Sequence, residues 1–294
     1  MVKNTFGGIS LTYEKKADIR DIIYSMSELA KKDGRLFFIG KSLLGVPIPC
    51  LKLGRGKRCS LFVGAHHGSE HITANVLMKF ASELAEKVPE ERTAFIIPML
   101  NPDGCAIATG GVGADHPLFP FLTKVNGGGD FSHWQANARG VDLNRNYDAG
   151  FDKCKAAERA LGIFSPSPTR YGGEHPESEP ETAALCALTR ILAPRLNVAV
   201  ALHTQGEEIY YDYEKRAPDG ARELAEKFAA LSGYALSEPE DAASHGGFKD
   251  WVIDRFGVPA FTIECGRGEN PLPPSDFEKI YEKVRGILHA AAKF

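Results

Sequence analysis

Three apolar runs in this chain each end on a side chain able to bind a metal or carry a proton. Leu61-Phe62-Val63-Gly64-Ala65 leads into His67-Gly68-Ser69-Glu70, Leu196 to Leu202 leads onto His203, and Val258 to Ile263 leads onto Glu264. Short apolar runs bounded by turn residues read as buried strands. Ligands in open α/β sheets gather in the crevice outside the carboxyl ends of the strands. The pattern therefore predicts a sheet whose strand ends converge on one site.

The segments between these runs fit such a sheet. Ala17 to Lys32 carries Ile19, Ile22, Ile23, Met26 and Leu29 at helical spacing, and Leu36 to Ile39 pairs with Ile48 to Leu53 as strands around Gly45-Val46-Pro47. Glu70 to Lys87 reads as a helix with Glu70 in its first turn, and Thr93 to Pro98 as a strand followed by a turn at Asn101-Pro102-Asp103-Gly104. Ser178 is the expected cap of a helix begun by Pro180. Further helices are expected at about Gly220 to Leu231, Phe248 to Phe256 and Asp276 to Ala292. Alternating strands and helices predict an α/β three-layer sandwich, with a mixed, mostly parallel central sheet and helices on both faces. The roughly seventy loop-rich residues after Gly104 lie between ligands that must meet in space, and so long a loop is more often functional than a linker. One catalytic domain spanning 1–294 is expected.

Composition narrows the function by exclusion. A net charge of −3 over 294 residues offers no electrostatic case for nucleic acid or an anionic membrane as partner. No apolar stretch approaches the roughly 20 residues needed to cross a bilayer, and Met1 to Gly8 does not resemble a signal peptide. A cytoplasmic location is the expectation. Cys50, Cys59, Cys105, Cys154, Cys186 and Cys265 form no Cys-x-x-Cys pair, and read as reduced core thiols rather than metal ligands.

Two imidazoles and a carboxylate suit a catalytic zinc, which keeps one position open. His67, Glu70 and His203 are the candidate ligands, and Glu264 is the candidate general base. His66 should point away from His67 by strand alternation and pack against a helix. His71 lies about 100° around the helix from Glu70 and reads as a solvent or supporting residue. Taken alone, a His-x-x-Glu pattern arises often by chance; the two other strand ends give it weight.

The segment Gly140-Val141-Asp142-Leu143-Asn144-Arg145-Asn146 makes a resemblance specific. With His67-Gly68-Ser69-Glu70, His203 and Phe261-Thr262-Ile263-Glu264, it resembles the zinc carboxypeptidases of the carboxypeptidase A type, in order from about residue 36 to 275. Trp134 to Asn144, Glu179-Pro180-Glu181-Thr182, His203 to Glu207 and Glu264 to Gly268 resemble the bacterial branch containing γ-D-glutamyl-L-diamino acid endopeptidases and murein peptide amidases. That resemblance implies one zinc per chain on His67, Glu70 and His203. It implies that Asp142 receives the second ring N–H of His67, that Asn144 and Arg145 grip a terminal carboxylate, and that Glu264 is the base. It also implies a small, cell-wall-derived peptide as partner; the oligomeric state stays open.

Two departures from the family pattern stand out. An arginine that polarises the scissile carbonyl is replaced by Gln135, and Arg139 is the candidate to supply that charge, against a structural ion pair. The family's mobile tyrosine falls in Asp241-Ala242-Ala243-Ser244-His245, where His245 is the possible donor, against a polar loop residue. Gly246-Gly247-Phe248-Lys249-Asp250-Trp251 resembles the stretch lining the specificity pocket, so Lys249 is expected to face an acidic group on the substrate, against a side chain reaching solvent. The expected reaction is hydrolysis of the γ-D-glutamyl-diamino acid bond of peptidoglycan stem peptides. Alternatives are removal of C-terminal acidic residues, a zinc amidohydrolase of the aspartoacylase or succinylglutamate desuccinylase type, and a metal-free module that binds wall peptides. Should Glu264 not be the base, Glu207 and Glu208 are next.

Overall fold

The computed structural model describes residues 4–6, 9–11, 13–238 and 245–294. An antiparallel pair, β1 (Asn4–Phe6) and β2 (Ile9–Leu11), precedes α1 (Ile19–Asp33). The Asp18 carboxylate accepts the Arg20 N–H at 2.8 Å and starts α1, and Ile22, Met26 and Leu29 form its buried stripe. β3 (Gly34–Lys41) and β4 (Pro47–Gly54) then run antiparallel, as the sequence predicts. β5 (Arg58–Val63), α2 (Ile72–Glu86) and β6 (Arg92–Ile97) follow.

The long middle segment is more ordered than the sequence predicts. It contains α3 (Pro102–Ala108), α4 (Phe119–Asn126) and α5 (Phe151–Ala160). The expected turn at Asn101 is instead a helix start, with the Asn101 side chain accepting the Gly104 N–H at 2.8 Å. Next come α6 (Pro180–Leu192), β7 (Leu196–His203), β8 (Glu208–Tyr210), α7 (Ala221–Ser232), β9 (Ala235–Leu236), α8 (Phe248–Phe256), β10 (Ala260–Glu264) and α9 (Phe277–Lys293). Ser178 does not cap α6: Glu179 holds the cap position, and the Ser178 hydroxyl donates to Glu179 at 2.8 Å.

The main sheet has eight strands in the order β3-β4-β6-β5-β7-β10-β8-β9. β6, β5, β7 and β10 are mutually parallel neighbours, while β3-β4, β4-β6 and β10-β8 pair antiparallel. Strand alternation divides two cores. On one face Phe62, Ile96, Val200 and Phe261 meet α1, α2, α7 and α9; on the other Leu61, Phe95, Ala201 and Ala260 meet α6 and α8. Burying both faces accounts for the continuous apolar runs in the central strands. All six cysteines are buried and unpaired. No helix among the described residues is long and apolar enough to cross a membrane.

Beside the sheet, a fully buried carboxylate on α6 has a thermodynamic signature. Glu181 accepts the Leu43 N–H at 2.9 Å, and burial is the main cause raising its pKa from 4.5 to about 7. The folded state then holds this proton more tightly than the unfolded chain. The resulting stabilisation is complete below about pH 4.5 and is lost as pH rises through 7. Glu181→Gln keeps the shape without the charge. Its thermal midpoint should therefore exceed wild type's most at pH 8, with the margin closing toward pH 5. A margin constant with pH would show that Glu181 stays ionised in the fold.

Candidate active site

Parallel pairing brings the three strand ends together. His203 and Glu264 are register partners at the last positions of β7 and β10, and β5 lies on the other side of β7. The chain leaving β5 carries His67 into a short 3-10 turn, Gly68–Glu70, that precedes α2. Glu70 thus sits in this turn and not in the first turn of α2. The turn is seated on the segment beside it: the Gly68 N–H donates to the Gln135 carbonyl at 2.9 Å and the Ser69 N–H to the Trp134 carbonyl at 2.8 Å. Only glycine fits at position 68, where a Cβ would lie 2.3 Å from the Gly104 carbonyl oxygen.

The ligating atoms of His67, Glu70 and His203 all lie within 4.8 Å of one another. His67 Nδ1 is 2.8 Å from Glu70 Oε1, and His203 Nδ1 is 3.0 Å from Glu70 Oε2. His67 Nε2 donates to Asp142 Oδ1 at 3.0 Å, and Asp142 also accepts the N–H groups of Asn144 and Arg170 at 3.0 and 3.1 Å. Burial would lower the His67 pKa, but the Glu70 and Asp142 carboxylates overcome it and raise it well above 6.5. Burial works against ionised Glu70 and Asp142 as well; His67 above all holds both well below the usual carboxylate range.

These residues fit a divalent cation. Both nitrogens of His67 face carboxylates, so with no cation in the site its ring must carry a buried positive charge. His203 Nε2 is buried without a hydrogen-bond partner. His203 Nδ1 faces the same Glu70 carboxylate that His67 Nδ1 faces, so both imidazoles and the carboxylate turn ligand atoms toward one point. A metal ion on His67 Nδ1 removes the need for that ring's charge, and an imidazole whose other nitrogen donates to a carboxylate is the usual metal-ligand arrangement.

The cluster opens into a cavity of about 620 Å³ lined by His67, His203, Asn144, Arg145, Lys249 and Glu264, among others. Burial, reinforced by the nearby Glu70 carboxylate, raises the Glu264 pKa well above 4.5. Arg145 is 12% exposed and makes one loose ion-pair contact, 3.9 Å to Asp142. Asn144 Oδ1 accepts the Phe248 N–H at 3.0 Å, which fixes its amide. Lys249 does not reach solvent: it is buried and donates to Asp250 and to the Asp212 carbonyl.

Other expected residues lie elsewhere. Arg139 is half exposed and faces the buried Glu179 carboxylate at 3.0 Å, away from the cavity lining. The cavity's other guanidinium belongs to Arg170, which the sequence does not reveal. Its backbone is bonded to Asp142 at φ +67°, a tertiary arrangement without a motif. His245 meets the Tyr213 hydroxyl at 3.1 Å beside Gly150 and is not among the lining residues; residues 241–244 lie outside the described structure. His66 is fully buried, 3.0 Å from the Tyr147 hydroxyl, and burial keeps it neutral. His71 is buried and neither a solvent residue nor a support for the cluster. Its Nδ1 lies 3.5 Å from the Ala17 N–H, and burial lowers its pKa to about 4. Glu207 is tied to Lys283 and Arg267, whereas Glu208 and Tyr210 line the cavity on β8, beside β10.

A family model described as zinc carboxypeptidase matches residues 20–285. The chain belongs to the zinc carboxypeptidase family. It is therefore a hydrolytic metalloenzyme, and zinc is the metal its donor set is built to hold. Among curated relatives it is 35% identical over 268 residues to γ-D-glutamyl-L-diamino acid endopeptidase 1 of Lysinibacillus sphaericus, a match covering 86% of this chain and 65% of that protein. It is 30% identical over 160 residues to murein peptide amidase A of Escherichia coli K12, covering 53% of this chain and 54% of the other. The fold is similar to that of bovine thrombin-activatable fibrinolysis inhibitor in complex with tick carboxypeptidase inhibitor. That match has a TM-score of 0.72 at 20% identity, over 96% of this chain and 97% of the other.

The donor geometry makes a direct prediction. His203→Ala should remain folded yet lose its zinc on dialysis against a chelator that leaves wild type loaded. Full zinc occupancy in the purified variant would remove His203 from the ligand set.

Proposed function

We propose that this zinc peptidase hydrolyses the γ-D-glutamyl-diamino acid bond of peptidoglycan stem peptides. The observation that carries the reading is that Asn144, Arg145 and Lys249 line the same cavity as His67, His203 and Glu264. A small substrate can then be held by its terminal carboxylate and its side chain while the scissile bond lies at the metal site. The Lysinibacillus and Escherichia relatives support wall peptides as the substrate class.

In this reading His67, Glu70 and His203 hold the zinc, and Asp142 fixes the His67 ring. Zinc, when bound, supplies Lewis acidity and makes water a stronger acid near neutral pH. Glu264 takes the proton from the attacking water at its carboxylate and delivers it to the leaving amine. The planar guanidinium of Arg145 grips the substrate's terminal carboxylate, with the Asn144 amide beside it. We assign the charge facing the scissile carbonyl to Arg170, because Arg139 is held by Glu179. Removal of C-terminal acidic residues would use the same Arg145 and Lys249, so product analysis must separate the two reactions.

Defined stem tripeptides incubated with the zinc-loaded protein should release free diamino acid with the γ-D-glutamyl peptide intact. Loss of C-terminal glutamate from control peptides, with stem peptides untouched, would favour the acidic carboxypeptidase. Glu264→Gln should retain zinc and lower kcat by at least about 10²-fold. Near-normal turnover in that variant would move the base to Glu208, the other carboxylate of β8 and β10 lining the cavity.

A further inference from the structure

The cavity floor carries an ion pair where the sequence suggests a lone cation. Lys249 and Asp250 are consecutive in the first turn of α8, and their side chains are 5% and 7% exposed. Lys249 Nζ donates to Asp250 Oδ1 and to the Asp212 carbonyl. An ammonium has three N–H groups, so one remains for a ligand. Asp250 commits Oδ1 to Lys249. Its Oδ2 lies beside Gly247, 2.9 Å from where a Cβ would stand, so glycine leaves this oxygen uncovered. Gly247, Lys249 and Asp250 all line the cavity.

The floor thus offers one donor and one acceptor side by side on a pair whose charges cancel. A lone lysine would select any carboxylate. This pair instead suits a group that presents a carboxylate and an ammonium on one carbon. We propose that Lys249 and Asp250 together read a zwitterionic amino-acid end on the substrate side chain, with Lys249 Nζ taking the carboxylate and Asp250 Oδ2 the ammonium. This rests on the reading of the chain as a γ-D-glutamyl-diamino acid peptidase, and it makes the side chain of a diamino dicarboxylic acid the preferred one. A lysine side chain brings an ammonium against Lys249 with no carboxylate to offset it. A side chain ending in a carboxylate alone leaves Asp250 facing like charge.

The test is kcat/KM for four γ-D-glutamyl dipeptides differing only in the second residue: meso-diaminopimelate, 2-aminopimelate, lysine and norleucine. Wild type should prefer diaminopimelate to both 2-aminopimelate and lysine by about ten- to a hundredfold, the weight of one charge-assisted contact. Asp250→Asn should close the gap to 2-aminopimelate, and Lys249→Met the gap to lysine. The wild-type panel decides the matter even if a variant folds poorly. Equal cleavage of diaminopimelate and 2-aminopimelate would overturn the paired reading while leaving the peptidase assignment standing. Cleavage of none of the four would overturn the assignment and the paired reading with it.

Discussion

The parallel pairing of β5, β7 and β10 is the constraint on which the site depends. Parallel neighbours run in one direction, so their carboxyl ends share one edge of the sheet. Register then matches His203 with Glu264 across a single rung. Because both faces of these strands are buried, a slip of one residue would turn the apolar set of each face toward the wrong core. The side chains at the strand ends therefore inherit their placement from packing deep in the molecule. Large apolar side chains contribute roughly 1.5–3 kcal/mol each when fully buried, far more than exposed ion pairs at the rim could.

Above that edge the design is electrostatic. Glu70 lies between two imidazoles, and His67 between two carboxylates. Burying such a cluster is costly unless each charge meets its opposite. Asp142 is the keystone of the arrangement. One carboxylate orients His67, receives the backbone of Asn144 and Arg170, and lies near the Arg145 guanidinium. The block between Gly140 and Asn146 thus joins the cluster of His67, Glu70 and His203 to residues that line the cavity.

How much of this was legible in the sequence follows from the range of each interaction. His67, Glu70, His203 and Glu264 could be found because strand periodicity and strand ends are local signals. Asn144, Arg145 and Asp142 stood out through a resemblance carried by one contiguous block. Arg170 was not legible, since its position depends on a bond to a residue 28 places earlier. Arg139 lies near the motif in sequence, but the buried Glu179 carboxylate draws its side chain elsewhere. Lys249 was legible as a lining residue. Its neutralisation by Asp250 was not, because adjacency in sequence does not reveal whether two side chains turn toward each other. The helix begun by Asn101 was not legible for a related reason: the same residues that make turns also cap helices.

The seat of the metal-bearing turn has a consequence for how such a site can change. Gly68 and Ser69 are held by the carbonyls of Gln135 and Trp134, that is, by backbone atoms. The Gln135 side chain meanwhile lines the cavity and accepts a hydrogen bond from Thr169. One position therefore supports the turn through its main chain and meets the cavity through its side chain. Side chains can be exchanged at 135 without removing the backbone support beneath the turn. A lineage can in this way alter what the cavity accepts while the machinery beneath it stays in register.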